Sequence, residues 1–260
     1  NKEQIVSLVN GKEDMKSSGW FIGQPLSVYR YFLVDGLWQN TEEDLAEIAK
    51  WAKNGYHFSP GQYKPKEINQ NYKLEDDDKQ IVGNRNPKIV FGLTNTFDYK
   101  NWEMSFFFYG RLGQKYYYNI DPNASGDYVT YGRKASLNEF WSEDNPNAKY
   151  PKLTSASNVS DSNINHSANI HDGSFVILRN ISLGYTFNDK WLSKFSIRSL
   201  NVFAQVLNPF IFGGEVVKAG INPEDTNSLN SFNSVGDLTG ATNNNTMMTT
   251  SYVFGLRIGF

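Results

Sequence analysis

Tyr252-Val253-Phe254-Gly255-Leu256-Arg257-Ile258-Gly259-Phe260 ends the sequence on a strict alternation. Tyr252, Phe254, Leu256, Ile258 and Phe260 are apolar, and Val253, Gly255, Arg257 and Gly259 lie between them. Side chains of a strand alternate between its two faces, so one face here is apolar and the other small or charged. A strand of a soluble sandwich can show the same pattern. An apolar face that closes on an aromatic, with an arginine behind it, points instead to a membrane-spanning β-barrel strand with lipid outside and a polar lumen inside.

The alternation recurs upstream. Residues 88–99 place Ile89, Phe91, Leu93, Phe97 and Tyr99 on one face, and residues 102–113 set Met104, Phe106 and Phe108 against Ser105, Tyr109 and Arg111. Residues 174–187 gather Phe175, Ile177, Ile181, Leu183, Tyr185 and Phe187, with Arg179 interrupting that face. Residues 196–207 set Leu200, Val202, Ala204 and Val206 against Asn201, Phe203 and Gln205. With a strand end at 1–9 and the final strand at 249–260, the count is six. Arginine facing lipid at mid-depth costs ~2–4 kcal/mol, so Arg111 and Arg257 are expected to face the lumen. Arg179 fits only near a membrane edge or at a bulge that shifts the register.

The connections are unequal. Tyr99-Lys100-Asn101-Trp102 is a tight turn and Asn188 to Lys194 a short one, whereas 10–87, 114–172 and 208–247 are long and polar. Loops of that length are uncommon in compact soluble domains. Counting back from a periplasmic C-terminus, both short turns fall in the periplasm and all three long loops outside the cell, as in outer-membrane barrels. Six strands do not close a barrel, whose smallest common form has about eight, and an open sheet leaves unpaired edges in lipid. The expectation is an all-β, antiparallel transmembrane barrel segment belonging to a larger barrel. The last strand then pairs with a first strand outside this sequence. The polar opening Asn1-Lys2-Glu3-Gln4 is no signal peptide, so a mature or partial chain is expected.

Composition narrows the function. With 25 basic and 27 acidic residues and a net charge of -2, no general nucleic-acid surface is expected. Aromatics at 15% suit strands and membrane interfaces. The absence of cysteine excludes a disulfide scaffold, a thiolate metal site and a cysteine nucleophile. No apolar run is long enough for a transmembrane helix, which leaves strands as the means of crossing. His57, His166 and His171 lie far apart with no Asp or Ser at a motif distance, so no catalytic site is expected. One short loop helix is predicted: Thr41-Glu42-Glu43-Asp44 starts it, Leu45, Ile48, Ala49 and Ala52 give its spacing, and Asn54-Gly55 ends it.

Four stretches, in order along nearly the whole chain, carry a family resemblance. They are Gly23-Gln24-Pro25-Leu26-Ser27-Val28-Tyr29 followed by Asp35-Gly36-Leu37-Trp38; Ile81-Val82-Gly83-Asn84 through Asn86-Pro87-Lys88 to Phe107-Phe108-Tyr109-Gly110-Arg111; Gly173-Ser174-Phe175 through Arg179-Asn180-Ile181-Ser182-Leu183-Gly184-Tyr185-Thr186-Phe187; and Ala204-Gln205-Val206-Leu207-Asn208-Pro209-Phe210 with the terminal strand. With these the chain resembles the C-terminal region of SusC/RagA-like TonB-dependent transporters. The resemblance implies a 22-stranded barrel with an N-terminal plug, energy from TonB, and a SusD-like surface lipoprotein as lid. It implies import of oligosaccharide or peptide. It also implies that Tyr252, Phe254, Leu256, Ile258 and Phe260 signal to the barrel-insertion machinery.

Candidate sites follow. Where the family carries an Asp-x-Asn-x-Asp-Gly calcium loop, this chain has Glu67, Asn69, Asn71 and Asp78, with Tyr72 at the glycine position. Calcium takes six to eight oxygens, usually with several carboxylates, so a solvated loop that has kept its shape competes with a Ca²⁺ site. The run Glu75-Asp76-Asp77-Asp78 reads as a surface charge cluster. Trp20, Tyr29, Tyr31, Trp38, Tyr128, Tyr131 and Trp141 are candidates for stacking on sugar, against the alternative that they pack the loops. Three functions stay open: an energised importer, a passive porin-type barrel, and a soluble glycan-binding β-domain.

Overall fold

The computed structural model describes residues 3–9, 11, 13–26, 28–117, 140–152, 167–187, 192, 194, 196–218, 222–224 and 248–260. In chain order the strands are β1 (Val28–Phe32), β2 (Val34–Leu37), β3 (Tyr63–Pro65), β4 (Lys79–Asn84), β5 (Ile89–Tyr99), β6 (Trp102–Leu112), β7 (Lys115–Tyr117), β8 (Ile170–Asp172), β9 (Phe175–Thr186), β10 (Ser199–Gly213) and β11 (Ser251–Gly259). Helix α1 spans Glu42–Ala52, and the single turn α2 spans Glu215–Lys218.

Five strands form one antiparallel sheet in the order β5-β6-β9-β10-β11. The predicted count of six differs because residues 3–9 add no strand to it. Ile5 instead exchanges backbone hydrogen bonds with Gly23 and Gln24. At β5 and β6 an eleven-residue strand runs ~36 Å, which at a tilt of ~45° covers the ~25 Å apolar band of an outer-membrane barrel. Lys100 takes the left-handed conformation (φ 55°) in the tight turn between them.

Register separates two faces. Phe97, Met104, Leu183, Ala204 and Phe254 share one face through directly paired positions, and Phe254 stands there at 79% exposure. That face leaves a continuous apolar surface uncovered, far beyond the scattered residues a soluble protein leaves in water. The opposite face holds Thr94, Thr96, Ser105, Ser182, Asn201, Gln205 and Arg257, with the Ser105 and Ser182 hydroxyls 2.8 Å apart.

The alternation read over 174–187 fails at one place. Phe106 pairs with Ile181 but Phe108 pairs with Leu178, so β9 holds an extra residue at this level. A bulge of one residue turns every side chain beyond it to the other face. Phe175 and Ile177 therefore lie fully buried on the polar side, and Val176 and Leu178 replace them on the apolar face. Strand β10 answers with its own irregularity between Leu207 and Phe210, where Asn208 takes φ 49°. It continues to Gly213 through a span read as loop, placing Phe210 and Phe212 on the apolar face.

Glycines let rings lie across the sheet. A Cβ on Gly255 would sit 2.3 Å from the Phe203 ring, and one on Gly110 would sit 2.5 Å from the Phe91 ring. Each ring covers its cross-strand glycine and fills the gap that a missing side chain leaves.

The span 10–87 is a built unit, not an open loop. β1 pairs with β4 and β2 with β3, both antiparallel. Thr41 caps α1, its hydroxyl accepting the Asp44 N–H, and three acidic residues follow in the first turn, where the helix dipole favours them. The helix turns a different face inward than Leu45 suggests: Leu45 is exposed, and Trp51 is buried with Trp38 and Phe58. Trp51 meets Tyr56, Phe58 and Tyr72 edge-on at 5.5–5.7 Å, a favourable ring geometry.

Candidate functional site

The polar face concentrates its chemistry towards the Leu112 end of β6. Alternation brings Tyr109 and Arg111 there, and the β9 bulge turns Arg179 towards them. Arg111 Nε donates to the Tyr109 hydroxyl (2.7 Å). Both guanidinium groups lie over the Tyr109 ring, at 5.6 Å for Arg111 and 5.7 Å for Arg179. Arg179 also donates to Asn208 Oδ1 (3.1 Å) and pairs with Glu224. Two guanidinium groups thus share one tyrosine ring, Arg179 alone of them pairing with a carboxylate, and a guanidinium offers five donors in a planar fork suited to carboxylate or hydroxyl groups. Arg257 lies towards the other end of the same face, over Phe203 at 5.2 Å.

Above the cluster, β7 and β8 pair and carry the chain away from the sheet. Tyr116 donates to the Pro223 carbonyl (2.6 Å), and Gln114 Nε2 donates to the Gly173 carbonyl (2.7 Å). Burial pushes the Tyr116 hydroxyl up to about 12, so it stays a donor. His171 Nδ1 lies 3.2 Å from Glu215 Oε2, which also accepts the Asp172 N–H. Burial works against the Glu215 charge, but the Asp172 N–H and His171 hold its carboxyl below the ordinary value. The sequence gives no hint of the His171–Glu215 pair, because its members are 44 residues apart.

The candidate aromatics separate. Trp38 has no exposed surface and lies beneath the Lys64 ammonium at 4.5 Å, so it is packing. Trp141 donates to Gln39 Oε1 (3.0 Å), and Tyr29 stacks on Tyr31 at 6.1 Å. Tyr31 in turn meets Tyr117 at 5.2 Å. Trp20, at 42% exposure, keeps free ring surface. Tyr128, Tyr131 and His166 lie outside the described residues.

The acidic run is no open charge cluster. Arg30 grips Asp76 (2.9 Å) with Lys79 beside it (3.1 Å), Lys16 takes Asp77 (2.5 Å), and Glu75 and Asp78 cap each other's backbone. Arg30 and Lys79 hold the Asp76 carboxyl below its ordinary value. Glu67, Asn69, Asn71 and Asp78 converge in one loop.

Tyr252, Phe254, Leu256, Ile258 and Phe260 all stand exposed on the apolar side. Among the described residues, an apolar hollow of 620 Å³ opens between Trp102, Tyr185, Ala204, Phe254 and Leu256. Ala204 is too small to fill the space its bulky neighbours frame. Tyr99, Trp102 and Tyr185 gather at the tight-turn end, with Trp102 and Tyr185 4.8 Å apart, like the aromatic girdle of a membrane interface.

An antiparallel sheet with one broad uncovered apolar face and one polar face is the architecture of an outer-membrane β-barrel wall. Comparison with known proteins agrees. No family model matches the chain. TonB-dependent receptor P39 of Formosa agariphila is 31% identical over 153 residues, covering 57% of this chain and 14% of that protein. TonB-dependent receptor P3 of the same organism is 26% identical over 147 residues (56% and 14%). TonB-dependent receptor SusC of Bacteroides thetaiotaomicron is 29% identical over 157 residues (60% and 15%). The matched part thus spans about a seventh of the length of these curated relatives. In fold the chain is similar to the RagAB peptide importer in the open-open state, with a TM-score of 0.51 and 17% identity over 74% of this chain and 19% of that one. Over its matched part the chain is thus similar to SusC and other TonB-dependent receptors, and in fold to the RagAB peptide importer.

Proposed function

We propose that this chain forms part of the wall of a TonB-driven importer, with the apolar face of β5, β6 and β9–β11 against lipid. Arg111, Arg179 and Arg257 then line the lumen. The observation that carries this reading is the division of the sheet, with Leu256 and Phe254 uncovered on one face and Arg257 on the other. Strands β5 and β11 each have one unpaired edge among the described strands, and in hydrocarbon such edges require further strands. The barrel of about 22 strands and its plug belong to this reading. The tight turn at Lys100 faces the periplasm, and the unit around α1 and the β7–β8 extension face outward.

A SusD-like lipoprotein covers that outer surface, and the cargo is an oligosaccharide or a peptide. The RagAB peptide importer, similar in fold, supports the peptide half of this class. Deleting the complete gene and following uptake of labelled oligosaccharides and peptides tests it. Loss of uptake of either class, reproduced when TonB is removed, is expected. Unchanged uptake would overturn the proposal, and uptake that survives loss of TonB would favour a passive pore.

A further inference from the structure

The loop 67–78 stands where the family resemblance calls for calcium, and this chain's donors do not fit one. Glu67 Oε1 accepts the N–H groups of Asn69 and Asn71 (both 3.2 Å). Asn69 Oδ1 accepts the Asn71 N–H (3.0 Å), which orients its amide so that Nδ2 donates to Asp78 Oδ1 (3.1 Å). Asn71 Oδ1 accepts the Lys73 N–H (2.8 Å), and its Nδ2 donates to Glu75 Oε2 (3.3 Å). Asp78 Oδ2 accepts the Glu75 N–H (2.9 Å). Only Glu67 Oε2 is left without a bond among these oxygens. All but one of these side-chain oxygens thus already accept an N–H donor, whereas calcium takes six to eight oxygens. Among the described residues no group of three or more His, Asp or Glu side chains is arranged to hold a metal.

The sixth position explains what replaces the ion. A calcium loop places glycine there for its sharp turn. Tyr72 occupies it with φ 54°, a conformation that side chains disfavour, so its ring must supply something in return. That ring lies edge-on to Trp51 at 5.7 Å, under the Lys50 ammonium at 5.2 Å, and its hydroxyl accepts from Lys50 (3.2 Å). Beside it, Asn54 Nδ2 donates to the Asn71 carbonyl and the Leu74 N–H donates to the Tyr56 hydroxyl, both at 3.2 Å. We propose that Tyr72, seated on the aromatic core of α1, locks the 67–78 loop and that the loop closes without metal. This goes beyond the transport reading and does not depend on it.

The test uses the full-length protein purified in detergent. Thermal midpoint and the rate of proteolytic cleavage within 67–78 are compared in calcium chloride and in EGTA, together with the calcium content after dialysis. Equal midpoints, equal cleavage and substoichiometric calcium are expected. A lower midpoint or faster cleavage in EGTA would overturn the proposal. In the second arm Tyr72→Phe keeps the ring and should keep protection, whereas Tyr72→Gly relieves the backbone but should raise cleavage several-fold. Protection of Tyr72→Gly equal to the wild type would likewise overturn it.

Discussion

Arg179 pairs with Glu224 from 45 residues away, across the polar face of the sheet. The bulge in β9 makes this possible by sending Arg179 away from the apolar face. Both side chains are mostly buried, at 28% and 22% exposure, so removing one leaves the other charge poorly solvated. Arg179→Ala should therefore loosen the connection after α2 by about 2 kcal/mol. Faster protease cleavage near Glu224 in the full-length protein checks it, and Arg179→Ala with Glu224→Ala together should cost less than the two separate losses added.

Gly173 is a second structural pivot. A Cβ there would lie 2.0 Å from the Tyr116 ring, whose hydroxyl holds the Pro223 carbonyl. Gly173→Ala should lower stability by about 1–3 kcal/mol, as overpacking does. Pairing it with Tyr116→Ala should relieve the clash, so a thermal-shift comparison of the single and double variants gives strongly non-additive losses.

The unit around α1 should depend on pH through Lys64. Its ammonium bonds Asp44 (2.9 Å) and Glu47 (2.7 Å). Burial works against these charges, but Lys64 and the Gln39 N–H hold Asp44 below its ordinary 3.8, and Glu47 and Asp44 hold Lys64 above its ordinary 10.5. A lowered carboxyl stabilises above its unfolded pKa and loses that as pH falls through the folded value. A raised ammonium stabilises below its unfolded pKa and loses that as pH rises through the folded value. Resistance of this unit to protease should be greatest between roughly pH 4 and 10, and Lys64→Met should flatten both limbs. A profile unchanged by Lys64→Met would refute the assignment.

Trp51→Ala should cost about 3–5 kcal/mol, the usual penalty for deleting a fully buried aromatic. Loss of near-ultraviolet circular dichroism from the ring cluster, with the far-ultraviolet β signal of the sheet retained, would show that α1 and its core fail locally.

Parts of this arrangement were legible in the sequence and parts were not. The hairpin around Lys100 and the final strand announce themselves because alternation is local and each face has one chemistry. Helix α1 shows in its Thr41 cap and acidic first turn. The bulge at Arg179 was visible only as an interruption, and its consequence, Phe175 and Ile177 turning to the polar side, needed the registers of both neighbouring strands. Strands β1 to β4 are short, at three to six residues, and find partners across as many as 56 positions, from Val28 to Asn84, so no local period reveals them. Asp76 looked like free charge because Arg30, 46 residues earlier, is invisible to local reading. Residues 3–9 looked like a strand from Ile5, Val6 and Leu8, yet Val6 and Val9 stand exposed and join no sheet.

The two-faced sheet is tested most directly by single cysteines placed along β11 in a cysteine-free background of the full-length protein; the 260 residues here contain none. Phe254→Cys, Leu256→Cys and Ile258→Cys are compared with Val253→Cys and Arg257→Cys in outer-membrane vesicles. Each is scored for labelling by a water-soluble maleimide and for quenching of a bimane label by spin-labelled lipid. Lipid quenching is expected at 254, 256 and 258 and aqueous labelling at 253 and 257. Equal aqueous labelling at all five positions would contradict it.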